Sequence, residues 1–387
     1  MIRTIRLGRG VLAAVLLAAA WGAVTIAQAP KPAPKPAPDA KKNPLLRLIE
    51  PWPSPEEMKQ RKADAESLPL FNGTEPLALT LATDFKALNK DRNPESTRRF
   101  PGELRMIGDN GTPVKLPVQV SARGHVRRMA RTCDYVPIRV EFAKGTTKGT
   151  IFAKQEALKL VVQCVRGGDY EQYIFKEYLA YRMFNVVTHR SFRARLARVT
   201  YLDQATEQPN GTRIAMFVED DTDVAKRMEG RTVTLERLLF KDVDTDTLMP
   251  AMIYEYMIGN TDFSIYALHN VKLVLRPDKS IHPVPYDFDF SGLVSPPYAA
   301  PDRNLMLNSV RDRMYRGPCK PQPQIDPYIA NFVAKRDLIR ALADEIPGMT
   351  KSSKDDARSY LDSFYSSIKT TRDVRRLFVD CKDISTM

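Results

Sequence analysis

The sequence predicts an α+β chain that folds as two lobes divided near residue 220. Three observations support this class. The length of 387 residues exceeds one ordinary core. Short alternating apolar runs dominate from residue 77 to residue 202, and helical spacing dominates after residue 220. We therefore expect a leader over 1–29, a linker over 30–45, a mainly β N-terminal lobe over 46–220 and a mainly α C-terminal lobe over 221–387.

The N-terminus has the pattern of an export signal. Arg3, Arg6 and Arg9 precede an uncharged run of 17 residues, 11–27, that is rich in alanine and leucine. Pro30 follows the small-residue site directly and opposes cleavage, so a cleaved signal peptide and a retained membrane anchor both stay open. Either outcome predicts a protein that works outside the cytoplasm, in a periplasm or in the extracellular space.

The linker and the charge balance restrict the class of partner. Residues 30–39 alternate proline with lysine and alanine, which is typical of a solvated polyproline spacer. The net charge of +13 falls to +7 for residues 43–387 once the leader and linker are set aside. This excess does not require nucleic acid, and we expect none. Phosphate-bearing ligands and an anionic envelope surface are compatible with it.

Four cysteines, Cys133, Cys164, Cys319 and Cys381, are too widely spaced for a zinc ribbon. In an oxidising compartment they form up to two disulfides. We expect Cys133 to pair with Cys164 and Cys319 with Cys381, because each pair then stays inside one predicted lobe. Four buried thiols are the alternative.

The elements of the first lobe follow from alternation. Strands are predicted over 77–81, 102–107, 114–120, 137–142, 158–164, 195–202 and 212–219. Between the fifth and sixth strands, Asp169 and Gln172 form a candidate capping box for a helix. The apolar stripe of that helix comprises Tyr170, Tyr173, Ile174, Tyr181 and Phe184.

The second lobe is predicted to be helical over 234–240, 248–258, 327–346 and 352–378, with a strand pair over 270–275 and 281–288. The acidic run 242–246 is similar to a calcium loop, but Thr247 and Ile253 stand where such a loop needs Gly and Glu, so we expect a helix cap. The four histidines are scattered, and the sequence lacks the motifs of zinc hydrolases and α/β-hydrolases.

A buried ion pair is predicted between the strand over 158–164 and the helix that follows it. Lys159 faces away from Leu158 and Leu160 on that strand. Glu177 lies in the apolar stripe of the helix, where a carboxylate needs a cation. We expect Lys159 to supply it. An exposed edge lysine and a partly exposed glutamate are the alternative.

Acidic and amide side chains cluster in the 28 residues from Asp262 to Asp289. Alternation on the predicted strand puts Asp287 and Asp289 on one side, where a cation would relieve their repulsion. Magnesium fits, because it takes one or two carboxylates plus phosphate oxygens. Asp262 is placed to orient a hydroxyl or accept its proton, and Asn270 can supply a neutral metal ligand. For each residue, loop capping is the alternative.

In this order the motifs resemble the spore-coat protein H (CotH) kinase-like family over roughly residues 77–294. The resemblance is carried by Val120-Ser-Ala-Arg-Gly124, Tyr135-Val-Pro-Ile-Arg-Val-Glu-Phe142, Leu158-Lys-Leu160, the helix through Glu177, Phe217-Val-Glu219, Asn260-Thr-Asp262 with Asn270, and Pro285-Tyr-Asp-Phe-Asp289. The chain departs from ordinary kinases because it lacks the Gly-x-Gly-x-x-Gly loop and the His-Arg-Asp motif, and Asn270 follows Asp262 by eight positions where five are usual.

The resemblance implies a bilobed, protein-kinase-like fold. It also implies transfer of the γ-phosphoryl group of ATP to a Ser or Thr hydroxyl of a protein substrate, with Mg²⁺ or Mn²⁺. The implied catalytic residues are Asp262, Lys159 and Glu177; the implied nucleotide contacts are Lys159, Arg123 and Glu219; the implied metal ligands are Asp287, Asp289 and Asn270. An exported enzyme meets little ATP, so an inactive pseudokinase or an envelope-binding module is the alternative function. The sequence leaves the oligomeric state open.

Overall fold

The computed structural model describes residues 46–108 and 110–382. The leader over 1–29 and the linker over 30–45 lie outside the described residues, so the export signal, the anchor and the spacer stay predictions. Among the helices of the described ranges, none combines the length and the apolar character that a membrane crossing requires.

Seven strands close into a barrel. They are β1 (Leu77–Thr83), β2 (Phe100–Ile107), β3 (Pro113–Ala122), β4 (Ile138–Phe142), β5 (Ala157–Val162), β6 (Ala194–Asp203) and β7 (Pro209–Val218). Their order around the barrel is β1-β2-β3-β4-β5-β7-β6. Neighbours in this order pair antiparallel, and a parallel ladder between β6 and β1 closes the ring.

Helices and a small second sheet make up the rest. The helices are α1 (Leu46–Ile49), α2 (Pro55–Glu66), α3 (Phe85–Lys90), α4 (Glu171–Val187), α5 (Asp221–Arg227), α6 (Thr245–Ile258), α7 (Gln322–Ala334), α8 (Arg336–Ala341), α9 (Lys351–Ser367) and α10 (Thr371–Val374). The second sheet has the order β10-β9-β8, from β8 (Arg231–Val233), β9 (Val271–Leu275) and β10 (Ile281–Pro285).

The two faces of the barrel strands belong to two different cores. In β5, Leu158, Leu160 and Val162 are buried with the side chains that fill the barrel. Val161 points the other way and packs in a larger core that contains the apolar side chains of α4 and α6. The alternation predicted for this strand is therefore confirmed, and it places Lys159 on the face that packs against the helices.

The predicted bilobed, protein-kinase-like fold is wrong. The strands assigned to a mainly β lobe form a closed barrel, and the described residues belong to one compact unit. The outward faces of β5, β6 and β7 share their core with α4 and α6, which the prediction had placed in different lobes. Closure of the barrel depends on pairing between β1 and β6, and local alternation carries no information about so distant a partner.

Several local predictions were also wrong. The helix predicted over 234–240 is absent, and a 3₁₀ turn at Phe240–Asp242 follows instead. The capping box is not formed, because Tyr170 is the N-cap of α4 and its side chain makes no capping bond. Gln172 instead donates to the carbonyl of Gly348 over 3.1 Å. The predicted tail helices are each divided, and a π-helix at Arg375–Val379 follows α10.

Other local predictions are confirmed. Asp244 in the acidic run 242–246 caps α6, accepting the backbone N–H of Thr247 over 2.8 Å. The strand pair predicted across residues 276–280 is formed by β9 and β10. Both predicted disulfides are present, Cys133 with Cys164 and Cys319 with Cys381. The first joins the loop before β4 to the segment after β5.

Candidate functional site

Lys159 lies on the outer face of β5 against two aromatic rings. Its Nζ is 4.2 Å from the ring centre of Tyr286 and 5.6 Å from that of Phe192. The amine is buried and makes no hydrogen bond to any described residue. Burial, followed by the charges of Arg123 and Lys272, lowers the pKa of Lys159 to about 8. A buried ammonium without a hydrogen-bond partner favours an anionic ligand.

Two ion pairs flank this amine. Arg123 Nη2 lies 3.9 Å from Asp287 Oδ2, and Lys272 Nζ lies 3.2 Å from Asp221 Oδ2. Both carboxylates act on Lys159 and oppose the lowering of its pKa. We call Lys159, Arg123, Lys272, Asp221 and Asp287 the lysine cluster. Its three cations outnumber its two carboxylates, so the cluster as a whole favours an anion.

The backbone at Asp287 differs from the prediction. β10 ends at Pro285, so the strand predicted over 281–288 stops before the two aspartates and alternation does not relate them. Asp287 instead has a left-handed φ of 66°. Its N–H donates to the hydroxyl of Tyr181 over 2.9 Å, which fixes this unusual conformation.

A second group, the carboxylate pocket, consists of Arg127, Glu177, Asp289 and Tyr298, which line one small cavity. Arg127 Nη1 lies 3.7 Å from Asp289 Oδ2, and the hydroxyl of Tyr298 donates to the same oxygen over 3.0 Å. Burial and the charge of Asp287 raise the pKa of Asp289 to about 7. Burial, Asp289 and Asp287 raise the pKa of Glu177 well above its ordinary value. Both carboxylates of this pocket therefore bind a proton more readily than an exposed carboxylate does.

The predicted ion pair between Lys159 and Glu177 is not formed. Lys159 Nζ and Glu177 Oε1 are both without a hydrogen-bond partner among the described residues. The cations that act on Glu177 are Arg127 and Arg123, from the basic loop that follows β3. The prediction that Glu177 is buried is confirmed, since its exposed fraction is 2%. Its counter-charge was assigned to the wrong residue.

Asp262 lies on the loop after α6, whose C-cap Gly259 has a left-handed conformation. One Asp262 oxygen is 3.1 Å from His269 Nε2, and the other accepts from the side chain of Asn270 over 3.0 Å. The hydrogen bond to Asp262 raises the pKa of His269. The Asp262 side chain stays 38% exposed, so it is oriented and still accessible.

The loop of Asp262 and the two aspartates after β10 share one electrostatic neighbourhood. Asp287 and Asp262 both raise the pKa of Asp289. Asn270 uses its side-chain nitrogen on Asp262, so its amide oxygen is the atom it can offer to a cation. In the described ranges, no three His, Cys, Asp or Glu side chains are grouped so as to hold a metal ion by themselves.

Glu219 has a different environment from the one predicted for a nucleotide contact. Its side chain is fully buried and accepts hydrogen bonds of 2.8–3.0 Å from the guanidinium groups of Arg193 and Arg227. Both oxygens are used, which favours a structural role. The neighbouring Phe217 points into the barrel core.

Sequence reasoning missed several residues of these groups. Tyr286 and His269 stand in the stretch from Asp262 to Asp289 but were assigned no role, and Lys272, Asp221 and Tyr298 were not considered. A signal existed for two of them, since Tyr286 stands inside the Pro285–Asp289 motif and Lys272 follows Asn270 by two positions. Asp221 and Tyr298 carry no such signal, because they reach the groups from α5 and from a loop after β10.

No protein-family model matches the chain, and no curated protein sequence matches it. The resemblance to the CotH kinase-like family therefore stays a prediction based on the quoted motifs.

Proposed function

We propose that this protein is a magnesium-dependent phosphotransferase that moves the γ-phosphoryl group of ATP to a hydroxyl group of a protein substrate. The observation that carries the proposal is the state of Lys159. Its buried amine has no hydrogen-bond partner in the described residues and is flanked by Arg123, Lys272 and Asp287. A polyphosphate chain supplies the anionic oxygens that such an amine lacks.

The residues of the lysine cluster would divide the work of binding. Lys159 and Arg123 would hold phosphate oxygens. Asp287 and Asp289 would hold magnesium together with the amide oxygen of Asn270, since the two carboxylates repel each other and a cation relieves that repulsion. Bound magnesium would neutralise charge on the phosphates.

Asp262 would position the acceptor. It is held by His269 and Asn270 and remains partly exposed, so a substrate hydroxyl can reach it from solvent. Its role would be to orient that hydroxyl and to take its proton as the phosphoryl group is transferred. Glu177 would act through Asp287 and Asp289, whose charges raise its pKa, and not through Lys159.

The test uses the full chain and measures ATP binding with and without magnesium, then phosphoryl transfer from labelled ATP. We expect Lys159→Met and Asp287→Asn each to weaken binding at least tenfold. Asp262→Asn should bind ATP normally and lose at least a hundredfold in transfer rate. Lys115→Met, which changes an exposed lysine on β3, is the matched control and should behave as the parent protein.

The alternative function is a binding module without turnover. It is favoured by the carboxylate pocket, where Arg127 and Tyr298 already contact Asp289 and where burial raises the pKa of Glu177. Magnesium-dependent ATP binding without phosphoryl transfer to any protein acceptor that is offered would support this alternative. If ATP does not bind, or if Lys159→Met binds it as well as the parent protein, both nucleotide hypotheses fail.

The proposed compartment is outside the cytoplasm. The two disulfides are compatible with an oxidising compartment, where such bonds persist. Fusion of residues 1–45 to a reporter that is active after export would test this part of the proposal directly.

A further inference from the structure

One end of the barrel holds a recess that the phosphotransferase proposal does not use. It lies where β5 and β6 end and β7 begins, beside α3. Its walls combine apolar and polar side chains, namely Phe85, Asn89, Tyr135, Val136, Ile138, Val162, Gln163, Tyr201, Asn210 and Arg213. We call it the barrel-end recess.

Tyr201 contributes an unsatisfied polar group to this recess. Its side chain is 6% exposed, and its hydroxyl makes no hydrogen bond to any described residue. Burial raises the pKa of Tyr201, so the hydroxyl keeps its proton. A buried hydroxyl without a partner is costly unless a ligand or a water completes it.

Arg213 brings a positive charge to the same recess. Its guanidinium stacks on the rings of Tyr135 and Tyr201, at 4.7 Å and 5.4 Å from their centres. It donates to the hydroxyl of Tyr135 over 2.9 Å, and that neutral partner leaves the charge uncompensated. Glu171, the carboxylate that acts on Tyr201, accepts the backbone N–H of Ile214.

The recess is small and opens beside a larger cleft. Its volume is about 20 Å³, enough for one water-sized polar group. The adjoining cleft, of about 660 Å³, shares Phe85, Asn89, Tyr135 and Asn210 with it. Cys133 also lines the cleft, so the disulfide to Cys164 braces this end of the barrel. A ligand can therefore place one oxygen of a polar head group in the recess and the rest of the molecule in the cleft.

We propose that the barrel-end recess takes one oxygen of the carboxylate of a small organic acid, whose apolar body lies against Phe85 and Tyr135 in the adjoining cleft. A guanidinium and a phenolic O–H are both donors, and a carboxylate accepts from two donors at once. A neutral head group would leave the charge of Arg213 uncompensated. Phe85 and Tyr135 offer an apolar body two aromatic rings, while the other walls of the cleft carry the charged side chains of Lys86, Arg92, Asp134, Arg166 and Asp203.

The test uses phenylacetate as the probe and the isosteric phenylacetamide as its uncharged control. Binding of each to the full chain is measured by calorimetry and by ligand-observed NMR. We expect saturable binding of one phenylacetate per chain and at least tenfold weaker binding of phenylacetamide. Tyr201→Phe should weaken phenylacetate binding about tenfold, the effect of one hydrogen bond to a charged group. Arg213→Gln should weaken it more.

Two controls keep the result interpretable. Arg198→Gln removes an exposed arginine from the neighbouring strand β6 and should leave binding unchanged. Arg213→Lys retains the charge but not the planar guanidinium with its several N–H donors. Its affinity for phenylacetate should fall between those of the parent protein and Arg213→Gln, provided that circular dichroism shows both variants folded. Equal binding of the acid and the amide, unchanged binding by folded Tyr201→Phe and Arg213→Gln, or the absence of saturable binding would each overturn the proposal.

Discussion

Buried ionisable side chains dominate the chemistry of this molecule at the scale of single residues. Lys159, Glu177 and Glu255 all lie in the core formed between the barrel and the helices or at its edge, and burial shifts the pKa of each toward its neutral form. Side chains in this state destabilise the fold unless a ligand compensates them. Their effects on stability are therefore measurable without knowledge of the substrate.

Lys159→Met should stabilise the protein at neutral pH. The folded protein releases the Lys159 proton at a pKa of about 8, whereas the unfolded chain holds it to the ordinary value of 10.5. The unfolded state therefore binds more protons between pH 8 and 10.5, and the stability of the parent protein rises across that window. At pH 7 the buried charge costs roughly 3 kcal/mol, so we expect the variant to gain about 1–3 kcal/mol in denaturant unfolding.

The matched control for this experiment is Lys115→Met, on the exposed face of β3. Its free energy of unfolding should stay within about 0.5 kcal/mol of the parent value at every pH. A Lys159→Met variant that is less stable than the parent protein at pH 7 would contradict the description of Lys159 as a buried cation that destabilises the fold.

Glu255→Gln should change the pH dependence in the opposite direction. Burial raises the pKa of Glu255, on α6, to about 8 from an ordinary 4.5. Between these values the folded protein holds a proton that the unfolded chain has lost, so stability falls as the pH rises from 4.5 to 8. The variant should lose this slope and be more stable at pH 8 by roughly 2–4 kcal/mol. Exposed Glu236→Gln serves as the control, and a slope that survives Glu255→Gln would contradict the assignment.

At the scale of elements, strand alternation was the most reliable guide. The positions of β1 to β7 were predicted closely, and so was the inward set of β5, because apolar and polar residues alternate there. The helix predicted over 234–240 was wrong, because a loop and a 3₁₀ turn accommodate the same spacing of apolar residues. Helical spacing over so few residues is weak evidence, since short helices depend on tertiary packing.

The candidate site was predictable where it followed local motifs and not where it depended on packing. Asp287 acts on the pKa of Lys159, and Asp287 and Asp262 both act on the pKa of Asp289 and of His269. The partner of Glu177 was not predictable, because Arg127 reaches it from a loop 50 positions upstream in the sequence. The left-handed backbone of Asp287 also has no signal in the residue pattern.

Glu219→Gln tests the junction of β7 and α5. The carboxylate compensates the guanidinium groups of Arg193 and Arg227, and its loss leaves two partly buried cations without a counter-charge. We expect a loss of about 3–5 kcal/mol in the free energy of unfolding. Glu207→Gln removes an exposed partner of Arg105 and should cost less than about 1 kcal/mol. Near-parent stability for Glu219→Gln would reopen the predicted role of Glu219 as a nucleotide contact.

At the scale of the whole molecule, the two disulfides connect segments that the core also holds together. They close loops with sequence separations of 31 and 62 residues. Replacing both cysteines of either pair by serine should cost about 2–5 kcal/mol in thermal or denaturant unfolding. The longer loop should cost about 0.6 kcal/mol more, because loop entropy grows slowly with length. Unchanged unfolding under reducing and oxidising conditions would show that neither bond forms.

The parallel ladder between β1 and β6 has a consequence for biogenesis. Leu77 pairs with Ala197, 120 positions further along the chain, and the ring also needs β7, which ends at Val218. The barrel therefore cannot close until more than the N-terminal half of the chain is available. Contacts between such distant segments form slowly. If the chain crosses a membrane through a translocase from its N-terminus, this delay keeps it unfolded during the crossing, and the barrel forms afterwards.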